Sequence, residues 1–386
     1  MTGYDSDNSS DSSYSNIDFY EVQNVVPDQY KSKVDKCNEI LLHDKKDIDE
    51  LRNLATSEGG LVISLVRSEA WPLFLNLPKK NKQLLDEEII TNHPEYNQVV
   101  MDVRRCLKRF PPGISYERIG VLQNQLIAII LSVIAEHPEL KYYQGYHDVA
   151  VTFLIEVGQE KAYSIMEYLS LNHLRQFLMP TMEETSYMLW NVFPLISKLN
   201  PELEYFLTKS GIGTIFALPW LLSWFSHSLS QHKKVVRLFD YFLASPKEII
   251  LYVIAQLINE RSEDILSADC DMASVHSVIS KIPEDIDFEK ILSQATNMLY
   301  EYPLSKIKYE VDIKVQQEAD FLAGLNENYT MRKHLKYMKS IGHGPPFANA
   351  YNFVPIWRIP RMRFGFLFFG FSLAAGLWAI MRTSSN

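Results

Sequence analysis

Residues 117–140 read ERIGVLQNQLIAIILSVIAEHPEL, and this stretch decides the fold class. Its apolar residues recur at helical spacing, and no proline interrupts it before Pro138, which predicts a long buried helix. Helical patterns continue from residue 148 to 258, without runs of short alternating strands. Glycine is also scarce, at 15 of 386 residues, about 4% against a usual 7% or so. The sequence therefore predicts an all-α fold.

Composition limits the classes of function. A chain of 386 residues is long enough for one large domain or two ordinary ones. The net charge of -9 argues against a nucleic-acid partner, because such proteins need a basic surface to neutralise phosphates. The three cysteines are far apart in the sequence, fit neither a disulfide framework nor a CxxC metal site, and indicate a reducing compartment.

Changes in composition and in the spacing of apolar residues divide the chain into four parts. Residues 1–29 are acidic and rich in serine, and we expect them to be disordered. One helical domain is predicted over 30–310, followed by a helical segment and linker over 311–363. Residues 364–381 form an uncharged apolar stretch of the minimum length for a membrane span.

We interpret residues 364–381 as a C-terminal tail anchor. Trp357 and Trp378 lie near its two ends, as interfacial anchors do, and a buried terminal helix is the alternative interpretation. Basic residues on its N-terminal side place the large domain in the cytosol by the positive-inside rule: Arg358, Arg361 and Arg363. Two other apolar stretches, residues 215–229 and 239–258, contain proline or charge and are predicted to be interior helices.

Common catalytic and nucleotide-binding motifs are absent from the sequence. It contains no GxxxxGK[ST], GxGxxG, HExxH or GxSxG. His43, His93 and His232 have polar neighbours and are predicted to be surface residues, so we expect no metal site. His147 and Asp148 resemble half of a hydrolytic dyad, but no serine or cysteine motif accompanies them.

The segment VVMDVRRCLKRF, residues 99–110, places charge beside an apolar stripe. Asp102, Arg105 and Arg109 are spaced to share one helix face. They could form an intrahelical ion pair on a solvated surface, or an aspartate could orient an arginine toward an anion. Arginine suits the second role because its planar fork matches phosphate oxygens. The apolar stripe is Val99, Val103, Cys106 and Phe110.

The segment KYYQGYHD, residues 141–148, has two similar interpretations. Gln144 could cap a turn while Gly145 lets the backbone change direction before the next helix. Alternatively, Gln144 could be held by its aromatic neighbours so that its amide hydrogen-bonds a water or a phosphate. The residues alone leave both open.

Taken together, these segments resemble the TBC domain of Rab GTPase-activating proteins over about residues 60–260. Five motifs occur in the family's order. They are the opening RxxxW, the IxxDxxR motif with valine in place of isoleucine, the YxQG motif, a Trp/Phe-rich segment and an R-aromatic-D turn. The matching residues are Arg67, Trp71, Val99, Asp102, Arg105, Tyr142, Gln144, Gly145, residues 215–229, Arg237 and Asp240.

The resemblance implies a role for each motif. Arg105 would be an arginine finger and Gln144 a glutamine finger, both supplied in trans to a GTP-loaded Rab. Asp102 would orient Arg105, and Tyr142 and Gly145 would shape the turn that presents Gln144. Structural or interface roles are implied for Arg67, Trp71, Arg237 and Asp240. The chain would be an activator without a cofactor or substrate of its own, because GTP and Mg²⁺ would belong to the partner.

A TBC domain followed by an apolar C-terminal segment resembles a tail-anchored member of the family. That resemblance implies a single-pass protein of the endoplasmic reticulum or early Golgi that acts on early-secretory Rabs of the Rab-one group, with Rab eighteen as a second candidate. The alternative function is a membrane-tethered scaffold that binds a Rab without stimulating hydrolysis.

Overall fold

A computed structural model of the chain describes residues 24–78, 83–106, 110 and 114–341. Within these ranges all regular secondary structure is α-helical or 3-10 helical, which confirms the prediction of an all-α fold. The predicted tail anchor over residues 364–381 and the preceding linker from residue 342 lie outside the described residues. Arg109 of the charged segment lies outside them too.

The described chain divides into two compact units. The first contains the described residues up to His137 together with Tyr146–Leu169 and Leu229–Ser245. The second contains Pro138–Gly145, Ser170–Ser228 and the described residues from Pro246 onward. Arg105 therefore belongs to the first unit and Gln144 to the second.

Nine α-helices lie wholly or mostly in the first unit, among the residues that the structure describes. They are α1 (Lys31–Leu42), α2 (Ile48–Thr56), α3 (Ser64–Phe74), α4 (Glu87–Thr91), α5 (Tyr96–Arg105), α6 (Tyr116–Glu136), α7 (Tyr146–Val157), α8 (Gln159–Leu171) and α13 (His232–Ala244).

The described part of the second unit contains nine more. They are α9 (Glu183–Trp190), α10 (Val192–Leu199), α11 (Pro201–Ser210), α12 (Leu218–Ser223), α14 (Ile249–Glu260), α15 (Ser262–Leu266), α16 (Met272–Ile279), α17 (Phe288–Glu301) and α18 (Leu304–Ile341).

Helix α6 is the long helix predicted from residues 117–140. Ser115 caps its N-terminus, because the Ser115 hydroxyl accepts a hydrogen bond from the Arg118 amide at 3.2 Å. The helix packs against α5 and α7 in the core of the first unit. Within the described residues it is the one helix whose length and composition would suit a membrane span, but half of its apolar window is buried inside the unit. We therefore assign it to the core.

The predicted interior helices are also present. In the second unit, every residue of α14 from Ile249 to Ile258 is buried, and the helix packs against α10 and α17. Residues 239–258 do not form one continuous helix, because α13 ends at Ala244 and α14 begins at Ile249. Pro246 lies in this break, where its ring would interrupt helical hydrogen bonding.

Two of the predicted domain boundaries fall within helices. Asp28–Tyr30 form a short 3-10 helix, so helical structure begins inside the segment 1–29 that was expected to be disordered. The predicted boundary at residue 310 lies within α18, whose side chains Ile307 and Val311 on either side of it are both buried. The helix continues across this point, so residue 310 does not mark a break in secondary structure.

The cysteines form no disulfide. Cys37 and Cys106 are buried, and Cys270 is exposed; all three are free. Burial raises the pKa of the Cys37 thiol to about 11, so this thiol stays protonated and unreactive near neutral pH.

Candidate functional site

Arg105 is the last residue of α5, a helix that buries one face and exposes the other. Val99 and Val103 are fully buried, and the predicted stripe continues with buried Cys106 and Phe110. The helix ends where the Cys106 amide donates a hydrogen bond to the Val103 carbonyl. Arg104 and Arg105 form the basic last turn, where positive charge complements the helix dipole.

The Arg105 side chain is exposed to solvent. Within the described part of the chain it has no hydrogen-bond or ion-pair partner. Asp102, one turn earlier, is only 3% exposed, and its Oδ2 atom accepts a hydrogen bond from Gln98 Nε2 at 3.1 Å. Asp102 and Arg105 therefore form no ion pair with each other, while Arg109, the other arginine of that interpretation, lies outside the described residues. A role for Asp102 in orienting Arg105 against a partner stays a prediction.

Gln144 lies at the tip of a turn that directly precedes α7. Its side chain is exposed, whereas Tyr142 and Tyr143 before it and Gly145 after it are buried. The turn is fixed to the second unit by the Lys141 amide, which donates to the Leu178 carbonyl at 2.7 Å. Gln144 forms no side-chain hydrogen bond with another described residue, so the structure does not support the interpretation in which its side chain caps the turn.

Gly145 is required for this turn by its backbone conformation. Its φ of 110° lies in a region that residues with a Cβ atom rarely adopt. Steric crowding restricts this position less, because a Cβ atom added at Gly145 would lie 3.8 Å or more from the nearest atoms of neighbouring residues. The glycine thus lets the chain reverse immediately after Gln144 and enter α7.

A buried cluster in the first unit contains the other residues of the family motifs. Asp240 is fully buried, and its Oδ1 atom accepts hydrogen bonds from Trp71 Nε1 at 2.9 Å and from Arg67 Nε at 3.1 Å. Its Oδ2 atom accepts one from the Leu61 amide at 2.9 Å. Arg237 donates to the backbone carbonyls of Ala55, Thr56 and Ser57. The cluster thus joins α3 and α13 to the segment between α2 and α3.

Two members of this cluster were missed by the sequence analysis. Glu156 is buried, and it accepts hydrogen bonds from Ser64 Oγ at 2.7 Å and from Arg67 Nη1 at 3.4 Å. His232 Nε2 lies 2.8 Å from Glu156 Oε1, and the His232 side chain is 17% exposed. The prediction that His232 is a surface residue is therefore wrong. Its polar sequence neighbours gave no sign of a carboxylate 76 residues away.

We expect Asp240→Ala to lower the free energy of unfolding by about 3–5 kcal/mol, because it leaves the buried Arg67 charge without its main partner. Urea unfolding followed by circular dichroism measures this difference. The matched control is Asp35→Ala on the exposed face of α1, which should change stability by about 0.5 kcal/mol or less. A loss below about 1 kcal/mol for Asp240→Ala would show that the cluster is not a strong stabilising element.

The second prediction for the cluster concerns acid pH. Burial alone would raise the pKa of Glu156, but the hydrogen bond with His232 and the charge of Arg67 lower it below its ordinary value. The folded state therefore binds the Glu156 proton more weakly than the unfolded state, and this carboxylate stabilises the fold above the unfolded pKa of about 4.3. We expect that contribution to be lost as the pH falls below this value through the folded pKa.

Urea unfolding between pH 7 and pH 3 would test this by comparing the parent chain with Glu156→Gln. The gap in unfolding free energy between the two should be constant above about pH 5 and should shrink below about pH 4.3. Parallel profiles over the whole range would mean that Glu156 does not make this contribution.

Other titratable groups have structural partners. His147 and Asp148 are both buried at the start of α7, with His147 Nε2 3.6 Å from Asp148 Oδ2. Among the described residues, Glu136, His137 and Glu167 have possible ligand atoms within 4.8 Å of one another. His137 is already paired with Glu167 at 3.1 Å, and nothing further at this group indicates a bound ion.

Comparison with known proteins places these features in a family. Residues 64–266 match the family model described as the Rab-GTPase-TBC domain. The chain is 42% identical to TBC1 domain family member 20 of Homo sapiens over 289 residues, covering 75% of this chain and 72% of that protein. It is 27% identical over 266 residues to the GTPase-activating protein gyp10 of Schizosaccharomyces pombe, covering 68% of this chain and 71% of that protein.

A solved structure has a similar fold. The crystal structure of the Ypt/Rab-GAP domain of Gyp1p aligns with a TM-score of 0.56 at 16% identity, covering 70% of this chain and 98% of that one. The family match includes Arg67, Trp71 and Asp240 of the buried cluster and the two exposed side chains, Arg105 and Gln144. This chain belongs to the Rab-GTPase-TBC domain family.

Proposed function

We propose that this chain accelerates GTP hydrolysis by a Rab GTPase to which it supplies Arg105 and Gln144 in trans. The observation that carries the proposal is the state of these two side chains. Both are exposed, Arg105 at the end of a helix whose opposite face is buried and Gln144 in a turn between buried residues, and neither has a partner among the described residues. An arginine and a glutamine inside the family motifs are thereby available to a second protein.

The proposed chemistry follows from what limits a GTPase alone. Negative charge on the transferring phosphoryl group is incompletely neutralised, and the attacking water is loosely oriented. The Arg105 guanidinium would donate hydrogen bonds to phosphate oxygens, where its fixed positive charge stabilises the transition state. The Gln144 amide would hydrogen-bond the water and fix its line of attack. GTP and Mg²⁺ would be held by the Rab.

The proposed partners are early-secretory Rabs, with the Rab-one group first. Support comes from the resemblance of the motifs combined with a C-terminal apolar segment, and from the 42% identity to TBC1 domain family member 20. The decisive experiment is single-turnover GTP hydrolysis by a panel of purified Rabs, with the full chain added in mild detergent. Acceleration of early-secretory Rabs above the rest is expected. Tight binding of GTP-loaded Rab without acceleration would instead establish the scaffold function.

We also propose that residues 364–381 anchor the protein in the endoplasmic reticulum or early Golgi membrane, with the helical units in the cytosol. The support is the uncharged stretch itself and the arginines before it. A short anchor suits the thinner bilayer of the endoplasmic reticulum.

We expect deletion of residues 364–386 to move the protein from the membrane pellet to the soluble fraction of a cell lysate. Carbonate extraction of the full chain provides the control, because an integral segment resists it while a peripheral one does not. If the truncated chain stays in the pellet, another part of the protein holds it at the membrane.

A further inference from the structure

We infer that Tyr143 is a positioning residue for Gln144, an inference that rests on the proposed function. Tyr143 occupies the variable position of the YxQG motif, so the motif itself assigns it no role. In the structure its side chain is 5% exposed, although it directly precedes an exposed glutamine. The Tyr143 hydroxyl donates a hydrogen bond to the Leu222 carbonyl at 2.8 Å.

The partner of Tyr143 lies in the last turn of α12. The final carbonyls of a helix have no amide donor within that helix, so an external donor to one of them is favourable. The Tyr143 ring also makes an edge contact with Phe177, with ring centroids 6.1 Å apart. One side chain thereby holds the backbone before Gln144 to the end of α12 through its hydroxyl and to Phe177 through its ring.

The backbone after Gln144 lies against the same helix end. A Cβ atom placed on Gly145 would lie 3.9 Å from the Cβ of Ser223 and 4.0 Å from the Cβ of Leu222. The end of α12 therefore lies against both sides of the turn. Because Gln144 has no hydrogen bond of its own to a described residue, its position depends on these two neighbours.

The end of α12 is itself held in an unfavourable conformation. Trp224 and Phe225 have φ values of 50° and 65°, in the left-handed region where bulky residues are rare. The Phe225 amide donates to the Trp220 carbonyl at 2.9 Å, and the two rings stack with centroids 5.6 Å apart. Such strain persists only when the surrounding contacts enforce it, and it is concentrated at functional sites. The strained residues follow directly after Ser223, the last residue of α12, and so belong to the helix end that carries the Leu222 carbonyl.

The experiment is a double-mutant cycle on single-turnover Rab hydrolysis, with the full chain in detergent. Tyr143→Phe keeps the ring and removes the hydroxyl. We expect it to lower the maximal stimulated rate about five- to tenfold, because the turn that carries Gln144 is held less rigidly. The half-saturating concentration should stay unchanged within about twofold, because the binding surface is kept. In the Gln144→Ala background, Tyr143→Phe should have no further effect, because the residue acts through Gln144.

Tyr252→Phe is the matched control, since the buried Tyr252 hydroxyl also donates to a backbone carbonyl of the second unit, that of Tyr302, at 2.7 Å. It should reduce thermal stability as much as Tyr143→Phe while leaving the maximal rate unchanged. The inference is overturned if Tyr143→Phe keeps the full rate, or if its effect is the same with and without Gln144. Failure of the unmodified chain to stimulate any Rab would be a separate result, against the proposed function.

Discussion

Arg105→Ala is expected to reduce the stimulated rate of Rab hydrolysis by a factor of about 10³ or more, which corresponds to roughly 4 kcal/mol of transition-state stabilisation. The reason is that Arg105 would supply the positive charge that stabilises the transferring phosphoryl group, and no acidic partner among the described residues has to be displaced first. Its guanidinium is exposed at the end of α5 and has no ion pair with a described residue. Single-turnover hydrolysis with saturating protein measures the effect.

The neighbouring arginine provides a matched control. Arg104 is also exposed and belongs to the same helical turn, so Arg104→Ala removes the same charge and the same helix-dipole interaction. We expect it to retain most of the stimulation. Arg105→Lys should behave like Arg105→Ala, because an ammonium group lacks the planar fork that contacts two phosphate oxygens together. If Arg104→Ala and Arg105→Ala lowered the stimulated rate equally, the contribution of Arg105 would be general electrostatic attraction of the Rab and not a specific phosphate contact.

The fold class, the helix that carries Arg105 and the turn that carries Gln144 could be predicted from the sequence because they depend on local pattern. Apolar spacing over residues 117–140 is sufficient to predict a buried helix, and the stripe through Val99 and Val103 places Arg105 on the other face. Gly145 beside Gln144 similarly predicts a reversal of the chain. These features involve residues a few positions apart.

The contacts that hold Gln144 and the buried Asp240 cluster in place could not be predicted, because they join residues that are distant in the sequence. Tyr143 and its acceptor Leu222 are 79 positions apart, and Trp71 and Asp240 are 169 apart. Periodicity shows that a residue is buried but not which group it will meet. Asp102 illustrates the same limit, because the burial of this charged side chain depends on how α5 packs against its unit.

The second large effect concerns Gln144. We expect Gln144→Ala to lower the stimulated rate on the order of 10²-fold, because the attacking water loses the amide that orients it while the phosphate contact of Arg105 is kept. Binding of the GTP-loaded Rab should change little, since one exposed side chain at the tip of a turn contributes little area. The measurement is the maximal single-turnover rate together with the half-saturating concentration.

A change in the GTPase separates this mechanism from a merely structural effect. If Gln144 replaces the GTPase's own glutamine, a Rab in which that glutamine is changed to alanine should still be stimulated by the unmodified chain, but not by Gln144→Ala. Loss of stimulation with the altered Rab and the unmodified chain would mean that the water is oriented by the GTPase. Gln144 would then be a contact residue, and the rigid turn built by Gly145, Tyr143 and the end of α12 would serve binding instead of catalysis.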